Sequence, residues 1–121
     1  MIFLTSTGDK LQVTTGSAGS VKVHASWVDN AAGTITPGRT NTAPITTATT
    51  TDVVAAPGAS TQRNLKFMSI HNASGSVSQA LTVQHTDGSN AEPLWVGTLG
   101  IGETLHYGEQ HGWQFVPQVS V

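Results

Sequence analysis

The sequence predicts an all-β fold: a single antiparallel β-sandwich, jelly-roll-like, with one long Thr/Pro-rich extended segment. Three observations favour this class. No window of the chain places apolar residues three and four positions apart over about three turns, as an amphipathic helix requires. Several short segments instead alternate apolar and polar residues. Turns rich in Gly, Ser and Asp separate these segments at intervals of about 8–12 residues, which is typical of sandwiches and barrels.

Length and composition indicate one domain with a neutral, hydroxyl-rich surface. The chain has 121 residues, which suits a single core, so residues 1–121 are taken as one β-sandwich domain. Only 10% of the residues are charged and the formal net charge is −2, while 37% are hydrophobic. Because disordered chains combine low hydrophobicity with high net charge, this composition favours a folded protein.

Composition also narrows the classes of partner and chemistry. Five Lys and Arg residues, scattered along the chain, are too few for the roughly six to ten phosphate contacts that make nucleic-acid binding strong. Cysteine is absent, which excludes disulfides, thiolate catalysis and Cys-ligated zinc. The sequence shows no secretory signal pattern and nothing near the roughly 20 apolar residues of a membrane span. We expect neither a nucleic-acid nor a membrane partner.

The first half of the chain contains two predicted strands and a long irregular segment. Residues 1–8 are a possible N-terminal arm, DKLQVT at 9–14 is the first strand, and SVKVHASWV at 20–28 is the clearest one because its alternate residues are apolar. Residues 29–62 carry three of the five prolines and a Thr-rich middle. We predict a long extended excursion with one or two short edge strands there. Since such a stretch is unusual inside a compact domain without a partner, we expect it and the arm to become ordered only against another chain.

From Arg63 onward the strand pattern becomes denser. Strands are predicted in RNLKFMSIHN, SQALTVQHT, PLWVGTLGI, TLHYG and GWQFVP, with Gly, Ser or Asp-Gly turns between them. Ten apolar residues of the whole chain are predicted to form the core. They are Val23, Trp27, Leu65, Phe67, Leu81, Val83, Leu105, Tyr107, Trp113 and Phe115.

The stretch LGIGETLHYGEQHGWQF at 99–115 is the main candidate for a metal or acid–base site. It places Glu103, His106, Glu109 and His111 within nine positions. Their spacing matches no zinc motif such as H-E-x-x-H and supplies no third fixed ligand. The alternative is the last hairpin of a sheet, with these residues on its polar side or in its turn. We favour the hairpin and assign no metal ligand.

The other histidines, His24, His71 and His85, lie on predicted strands beside apolar positions. An imidazole placed there can bond to a neighbouring threonine or a backbone carbonyl, so we interpret them as structural or interface residues. Serine and threonine are abundant, but no nucleophile elbow such as G-x-S-x-G is present. The sequence therefore predicts no catalytic residue, no cofactor and no enzymatic activity.

A carbohydrate-binding β-sandwich module is the competing function from another class. Four aromatic side chains could stack on sugar rings, with Asp87 or Asn90 bonding to the hydroxyl groups. The four are Trp27, Trp95, Trp113 and Tyr107. Burial is the commoner fate of a tryptophan in a small sandwich. Trp95 is the one to follow, because Leu94 and Val96 share the opposite face of its strand.

Several segments of the chain resemble small virion structural proteins of tailed bacteriophages. They are VHASWVD at 23–29, TPGRTNTAPITTATTTDVVAAPG at 36–58, ASTQRNLKFMSIHNASGSVSQALTVQHTDGS at 59–89 and the stretch 99–115. The likeness is closest to β-sandwich head decoration, or cement, proteins, and it lies in sequence style rather than in a catalytic signature.

This resemblance implies a location and a set of partners. Such proteins sit on the virion, on the outer surface of the major-capsid-protein shell at capsomer junctions, as homodimers or homotrimers. They are made in the cytoplasm of the bacterial host. A tail or neck component of the virion is the alternative that the resemblance leaves open. Either role requires a rigid module that binds neighbouring subunits and no active site.

Overall fold

The computed structural model describes residues 2–117 of the chain. Within this range the structure contains ten β-strands and no helix, which confirms the all-β class. No described helix is therefore long and apolar enough to cross a membrane. The strands are β1 (Ile2–Leu4), β2 (Lys10–Thr15), β3 (Val21–Ala31), β4 (Thr34–Ile45), β5 (Thr50–Val54), β6 (Thr61–Asn72), β7 (Gln79–Thr86), β8 (Ala91–Leu99), β9 (Thr104–Gly108) and β10 (Gly112–Val116).

The strands form two antiparallel sheets. The long sheet has six strands in the order β10-β9-β6-β3-β4, with β1 pairing to β6 off this path. β1 and β9 pair with different parts of β6, at 63–65 and at 67–71. The short sheet has four strands in the order β5-β2-β7-β8. Both sheets contribute to one hydrophobic core, a sandwich-like arrangement, whereas the strand order does not by itself confirm the jelly-roll topology.

The core forms because alternate residues of each strand face it. In β3, Val21, Val23 and Ala25 are buried while Lys22 between them is exposed. Six of the predicted core residues are buried, and two tryptophans, Trp27 and Trp113, pack against the core while partly exposed. The six are Val23, Leu65, Leu81, Val83, Leu105 and Tyr107.

The prediction that Phe67 lies in the core is wrong. Its side chain is 37% exposed on the outer face of the long sheet. A β-bulge in β6, opposite Ser26 and Trp27, inserts one extra residue and shifts the alternation. Leu65 and Met68 are consequently the buried residues on either side of it.

The prediction for Phe115 is also wrong, for a different reason. Phe115 pairs with the buried Leu105, so it has the expected register, yet it is 45% exposed. Its strand β10 is the edge of the long sheet. A residue at an edge has a neighbouring strand on one side only, which leaves Phe115 less covered than Leu105.

The segment 29–62 differs from the predicted excursion. It contains the end of β3, the 12-residue edge strand β4 and the shorter edge strand β5. β4 pairs with β3 along most of its length although it contains Pro37 and Pro44. Proline is tolerated in an edge strand because its missing N–H can face away from the sheet. The N-terminal segment also pairs within the chain, since β1 joins β6 and Leu4 is fully buried.

The tips of β3 and β4 extend into solvent as a projecting hairpin, defined here as residues 30–37. Every residue in this range is exposed. Its turn residues Ala32 and Gly33 have φ values of 52° and 88°, both in the left-handed region that a two-residue hairpin turn requires. The Gly33 N–H donates to Asn30 Oδ1 at 2.9 Å. The hairpin is therefore a defined structural element.

Candidate interaction surface

The β9–β10 hairpin separates the four residues of the candidate metal or acid–base site. His106 projects from the outer face of the long sheet, where its ring centroid lies 5.4 Å from that of Phe67. Glu109 Oε2 accepts a hydrogen bond from Lys66 Nζ at 3.1 Å. Burial raises the pKa of Tyr107, and the negative charge of Glu109 raises it further.

The other two residues of that candidate site lie elsewhere on the hairpin and its approach. The Glu103 carboxylate accepts a hydrogen bond from the Gly100 N–H at 2.6 Å, which closes the turn before β9. His111 is exposed in the turn between β9 and β10. Among residues 2–117, no three His, Asp or Glu side chains are grouped so that they could hold a metal ion.

The structure brings three histidines together on the outer face of the long sheet. His24 on β3 pairs with Ser69 on β6, and Ser69 pairs in turn with His106 on β9. Directly paired residues of neighbouring antiparallel strands point to the same face. His71 follows Ser69 by two residues and so shares that face. Phe67 lies between two of the imidazoles, with centroid distances of 6.3 Å to His24 and 5.4 Å to His106.

Hydrogen bonds orient two of these imidazoles. Nδ1 of His24 lies 2.6 Å from Oδ1 of Asn41. An amide oxygen only accepts, so Nδ1 of His24 is the donor in this contact. Nδ1 of His71 lies 2.8 Å from the Thr104 hydroxyl, the threonine contact that the sequence predicts for such residues. The fourth strand histidine, His85, lies on the short sheet 3.8 Å from Asp9.

Basic side chains surround the histidines, and together they form what we call the histidine face. A shallow hollow of about 400 Å³ on this face is bordered by Lys22, His24, Asn41 and His71. Arg39 on β4 pairs with Ser26 on β3, which is two residues from His24 along the same strand. The histidine face comprises Lys22, His24, Arg39, Asn41, Phe67, Ser69, His71 and His106.

The same outer face continues into an apolar groove of about 420 Å³ beside the projecting hairpin. Phe3, Val28 and Ile35 supply its apolar lining, and Asn64 lies among them. Phe3 is 48% exposed and Ile35 59% exposed. The groove therefore presents large apolar side chains to solvent at the end of the molecule where the hairpin projects.

The aromatic residues considered for sugar stacking lie against the core. Trp27, Trp95 and Trp113 are partly buried, and Tyr107 is buried with its ring 5.0 Å from that of Trp113. The Arg63 guanidinium lies 4.4 Å from the centre of the Trp27 ring. The side chains flanking Trp95 are exposed on the opposite face of β8, as the alternation predicts.

The turn between β7 and β8 holds the polar residues of the sugar-binding hypothesis. The Asp87 carboxylate accepts the N–H groups of Asn90 at 2.7 Å and Ser89 at 2.8 Å. These two hydrogen bonds hold the pKa of Asp87 below its usual range. The carboxylate thus orders its own turn.

Sequence reasoning did not single out Lys22, Arg39, Asn41 or Ser69 as members of a surface. These residues lie on three different strands, and only the register of β3 with β4 and β6 places them together. Nothing in their local sequence signals this.

Comparison with known proteins gives no match: no family model, no curated protein and no solved structure matches the chain.

Proposed function

We propose that the chain is a non-enzymatic structural protein of a tailed-phage virion, a capsid decoration protein. In this role it binds the outer surface of the major-capsid-protein shell at capsomer junctions and stabilises the shell. The resemblance of its sequence to such proteins and the form of the projecting hairpin support the proposal. A decoration protein needs an element that reaches beyond its own core to a neighbouring subunit, and the hairpin is such an element.

The projecting hairpin and the apolar groove carry the proposal. Ile35 and Phe3 expose 59% and 48% of their surface and contribute little to the fold there. Covering apolar surface contributes roughly 25 cal/mol for each Å² removed from water. β3 pairs with β6 as far as Ala31 and Thr61, and this pairing holds the hairpin in one conformation before it contacts a capsid subunit. An element that is already ordered loses little conformational entropy on binding.

Shell stabilisation follows from binding to the assembled state. A protein that contacts several capsid subunits at once, and binds only when they are assembled, shifts the equilibrium toward the intact shell. Self-association of the chain as a homodimer or homotrimer strengthens this effect through effective concentration. Val96 and Leu94, exposed on the edge strand β8, are suited to the contact between copies.

We further infer that the sandwich is a variant of the jelly roll. The pair β2–β7 and the pair β3–β6 are nested around the β4–β5 connection. A jelly roll is likewise built from long antiparallel hairpins folded over into two sheets. A tail or neck component could use the same architecture, so location in the particle decides between the two virion roles.

Electron cryomicroscopy of phage particles with and without the protein tests the location. We expect additional density on the outer shell at capsomer junctions, and a higher temperature of shell disruption in particles that carry the protein. Density confined to the tail or neck would overturn the capsid assignment. Absence of the protein from purified particles would overturn both virion roles.

A pair of variants tests the contact itself. Ile35→Asp is expected to lower binding of the chain to capsid shells that lack it by at least about tenfold, because burying an isoleucine side chain contributes roughly 1.5–3 kcal/mol. Ile101→Asp is the matched control, since Ile101 is also an isoleucine and is 40% exposed but lies in the turn between β8 and β9, beside Asn72 at the opposite end of β6. Equal binding by Ile35→Asp and the unaltered chain would remove the hairpin from the contact.

A further inference from the structure

We propose that the histidine face binds carboxylate groups of a partner protein, and that it binds them more tightly as the pH falls from about 7.5 to about 5.5. This inference goes beyond the proposed function, because it concerns the chemistry of a partner surface wherever the chain is located. It rests on the distribution of charge, on the geometry of the face and on the chemistry of imidazole.

Charge is unevenly divided over the molecule. Three of the five Lys and Arg side chains project from the outer face of the long sheet, namely Lys22, Arg39 and Lys66. Of the seven acidic side chains only Glu109 reaches this face, where it pairs with Lys66. With histidine neutral, three positive charges and one negative give the face +2. Two positive and six negative charges give the remainder −4, which accounts for the net −2.

Three strands of the long sheet, β3, β4 and β6, supply most of the charged groups on this face. β3 contributes Lys22 and His24, β4 contributes Arg39, and β6 contributes Lys66 and His71. The other titratable groups nearby are His106 on β9 and, in the turn that follows it, Glu109 and the exposed His111. The described parts of β1 and β10 place no ionisable side chain there. Protonation of the three histidines adds three charges to the face and takes it from +2 to +5.

The geometry suits oxygen ligands that carry negative charge. The hollow of about 400 Å³ is lined by Lys22, His24 and His71, and Lys22 on β3 is paired with His71 on β6. Contacts at Nδ1 with Asn41 and Thr104 orient these two rings, and both nitrogens of a charged imidazole are donors, so Nε2 of each ring is then free to donate to a ligand. Hydrogen bonds from charged donors to carboxylates are about twice as strong as neutral ones.

A protein carboxylate fits the face better than a nucleic-acid phosphate does. Lys66 is already paired with Glu109, which leaves Lys22 and Arg39 as the fixed cations. Two fixed cations fall well short of the roughly six to ten phosphate contacts of a strong nucleic-acid site. The exposed Phe67 and the neighbouring amide and hydroxyl groups give the mixed polar and apolar character of a protein–protein interface.

Calorimetric titration of the full chain with poly-L-aspartate, at low salt and at pH 7.5 and 5.5, tests the proposal. Aspartate side chains remain ionised across this range, since their usual pKa is about 3.9. We expect binding to be at least about tenfold tighter at pH 5.5, because each exposed ion pair strengthens association by roughly two- to fivefold. The combined variant H24Q/H71Q/H106Q is expected to lose this pH dependence, and each single variant to lose about a third of it on a logarithmic scale.

Matched controls separate this face from general charge effects. H85Q removes a histidine that lies on the short sheet, and K10Q removes a lysine paired with Asp52 there, so neither is expected to alter binding. K22Q/R39Q is expected to weaken binding at both pH values. Unchanged pH dependence in the combined histidine variant, or an equal effect of H85Q, would overturn the proposal. Tighter binding of oligothymidylate than of poly-L-aspartate would do the same. Particle imaging does not bear on any of these outcomes.

Discussion

The two ends of the paired strands β3 and β6 are built differently. Where β6 ends, Asn72 is fully buried and its amide donates to the carbonyl oxygens of Val77, Leu99 and Gly100 at 2.8, 3.0 and 3.1 Å. At the other end of the same strands, residues 30–37 form the exposed projecting hairpin. At the Asn72 end, buried polar groups thus stabilise the fold, whereas the side chains of the projecting hairpin remain available to a partner. Stability and binding are separated along a single pair of strands.

The sharpest test of this contrast uses two isoleucines of one strand, β4. Ile45 is 5% exposed and pairs with Val21, while Ile35 is 59% exposed at the hairpin tip. We expect Ile45→Ala to lower the free energy of unfolding by about 4 kcal/mol, because it leaves a cavity in the core. Ile35→Ala should change it by no more than about 0.5 kcal/mol. Urea denaturation measures both, and similar losses would show that the two ends do not differ as described.

Asn72→Ala tests the closed end directly. The substitution removes a donor group that serves three backbone carbonyls, and buried polar groups left without partners are costly. We expect the free energy of unfolding to fall by about 3 kcal/mol in the same denaturation experiment.

The matched control for Asn72 is Asn90→Ala. Asn90 is exposed in the β7–β8 turn and takes part there through its backbone. A change within about 0.5 kcal/mol is expected. An Asn72 variant as stable as the Asn90 variant would show that this hydrogen-bonded end does not support the fold.

Gly38→Ala probes the base of the projecting hairpin. A Cβ atom at Gly38 would lie 2.7 Å from Trp27 Nε1, so the indole would have to move. Its movement would also disturb Arg63, which stacks on Trp27 and holds Asp29 through two hydrogen bonds of 2.8 and 3.0 Å. We expect a loss of about 2 kcal/mol, measured by denaturation with tryptophan fluorescence as the signal.

Gly108→Ala is the control for that substitution. Gly108 also lies in the long sheet, and a Cβ atom there would have no atom within 4 Å. The variant should therefore unfold close to the midpoint of the unaltered chain. If both alanine variants lost the same stability, the effect would come from the loss of glycine itself rather than from contact with Trp27.

The smallest expected effect concerns Asp9, a buried carboxylate in the turn after β1. Burial raises the pKa of Asp9, but hydrogen bonds from the Thr5 N–H and the Ser6 hydroxyl, together with nearby His85, bring it below its usual range. A carboxylate whose pKa is lowered by folding stabilises the fold above its unfolded pKa of about 3.9, and this contribution is lost as the pH falls through the folded pKa. Denaturation between about pH 5 and 2 should show this decline in the unaltered chain and a shallower one in Asp9→Asn. Parallel curves would contradict the assignment.

Alternation in the sequence was sufficient to predict the all-β class, and six of the ten predicted core residues are buried, but local pattern has limits. Leu65 and Phe67 alternate in the sequence as core residues should, yet the bulge in β6 depends on pairing with β3 and has no local signal. Nearly all of β4 is exposed or half-exposed, so it lacks the apolar period by which strands are recognised. The length of β4 is determined by its pairing with β3 and not by its own composition.

The candidate surface was harder to predict than the fold. Individual histidines could be placed on strands, and one predicted contact type, imidazole with threonine, is present at His71. Their convergence with Lys22 and Arg39 depends on the register of four strands, which residue spacing does not determine. The charge asymmetry of the molecule is equally a property of register, because the acidic and basic residues are mixed along the chain.

Pro37 and Pro44 in the edge strand β4 also affect how the protein behaves when concentrated. A long bare strand edge is a template on which identical molecules add one after another into fibrils, and proline interrupts the row of donors that such growth requires. β4 can thus remain exposed while the protein accumulates in a cell. Any contact made by the projecting hairpin accordingly relies on side chains rather than on an added strand.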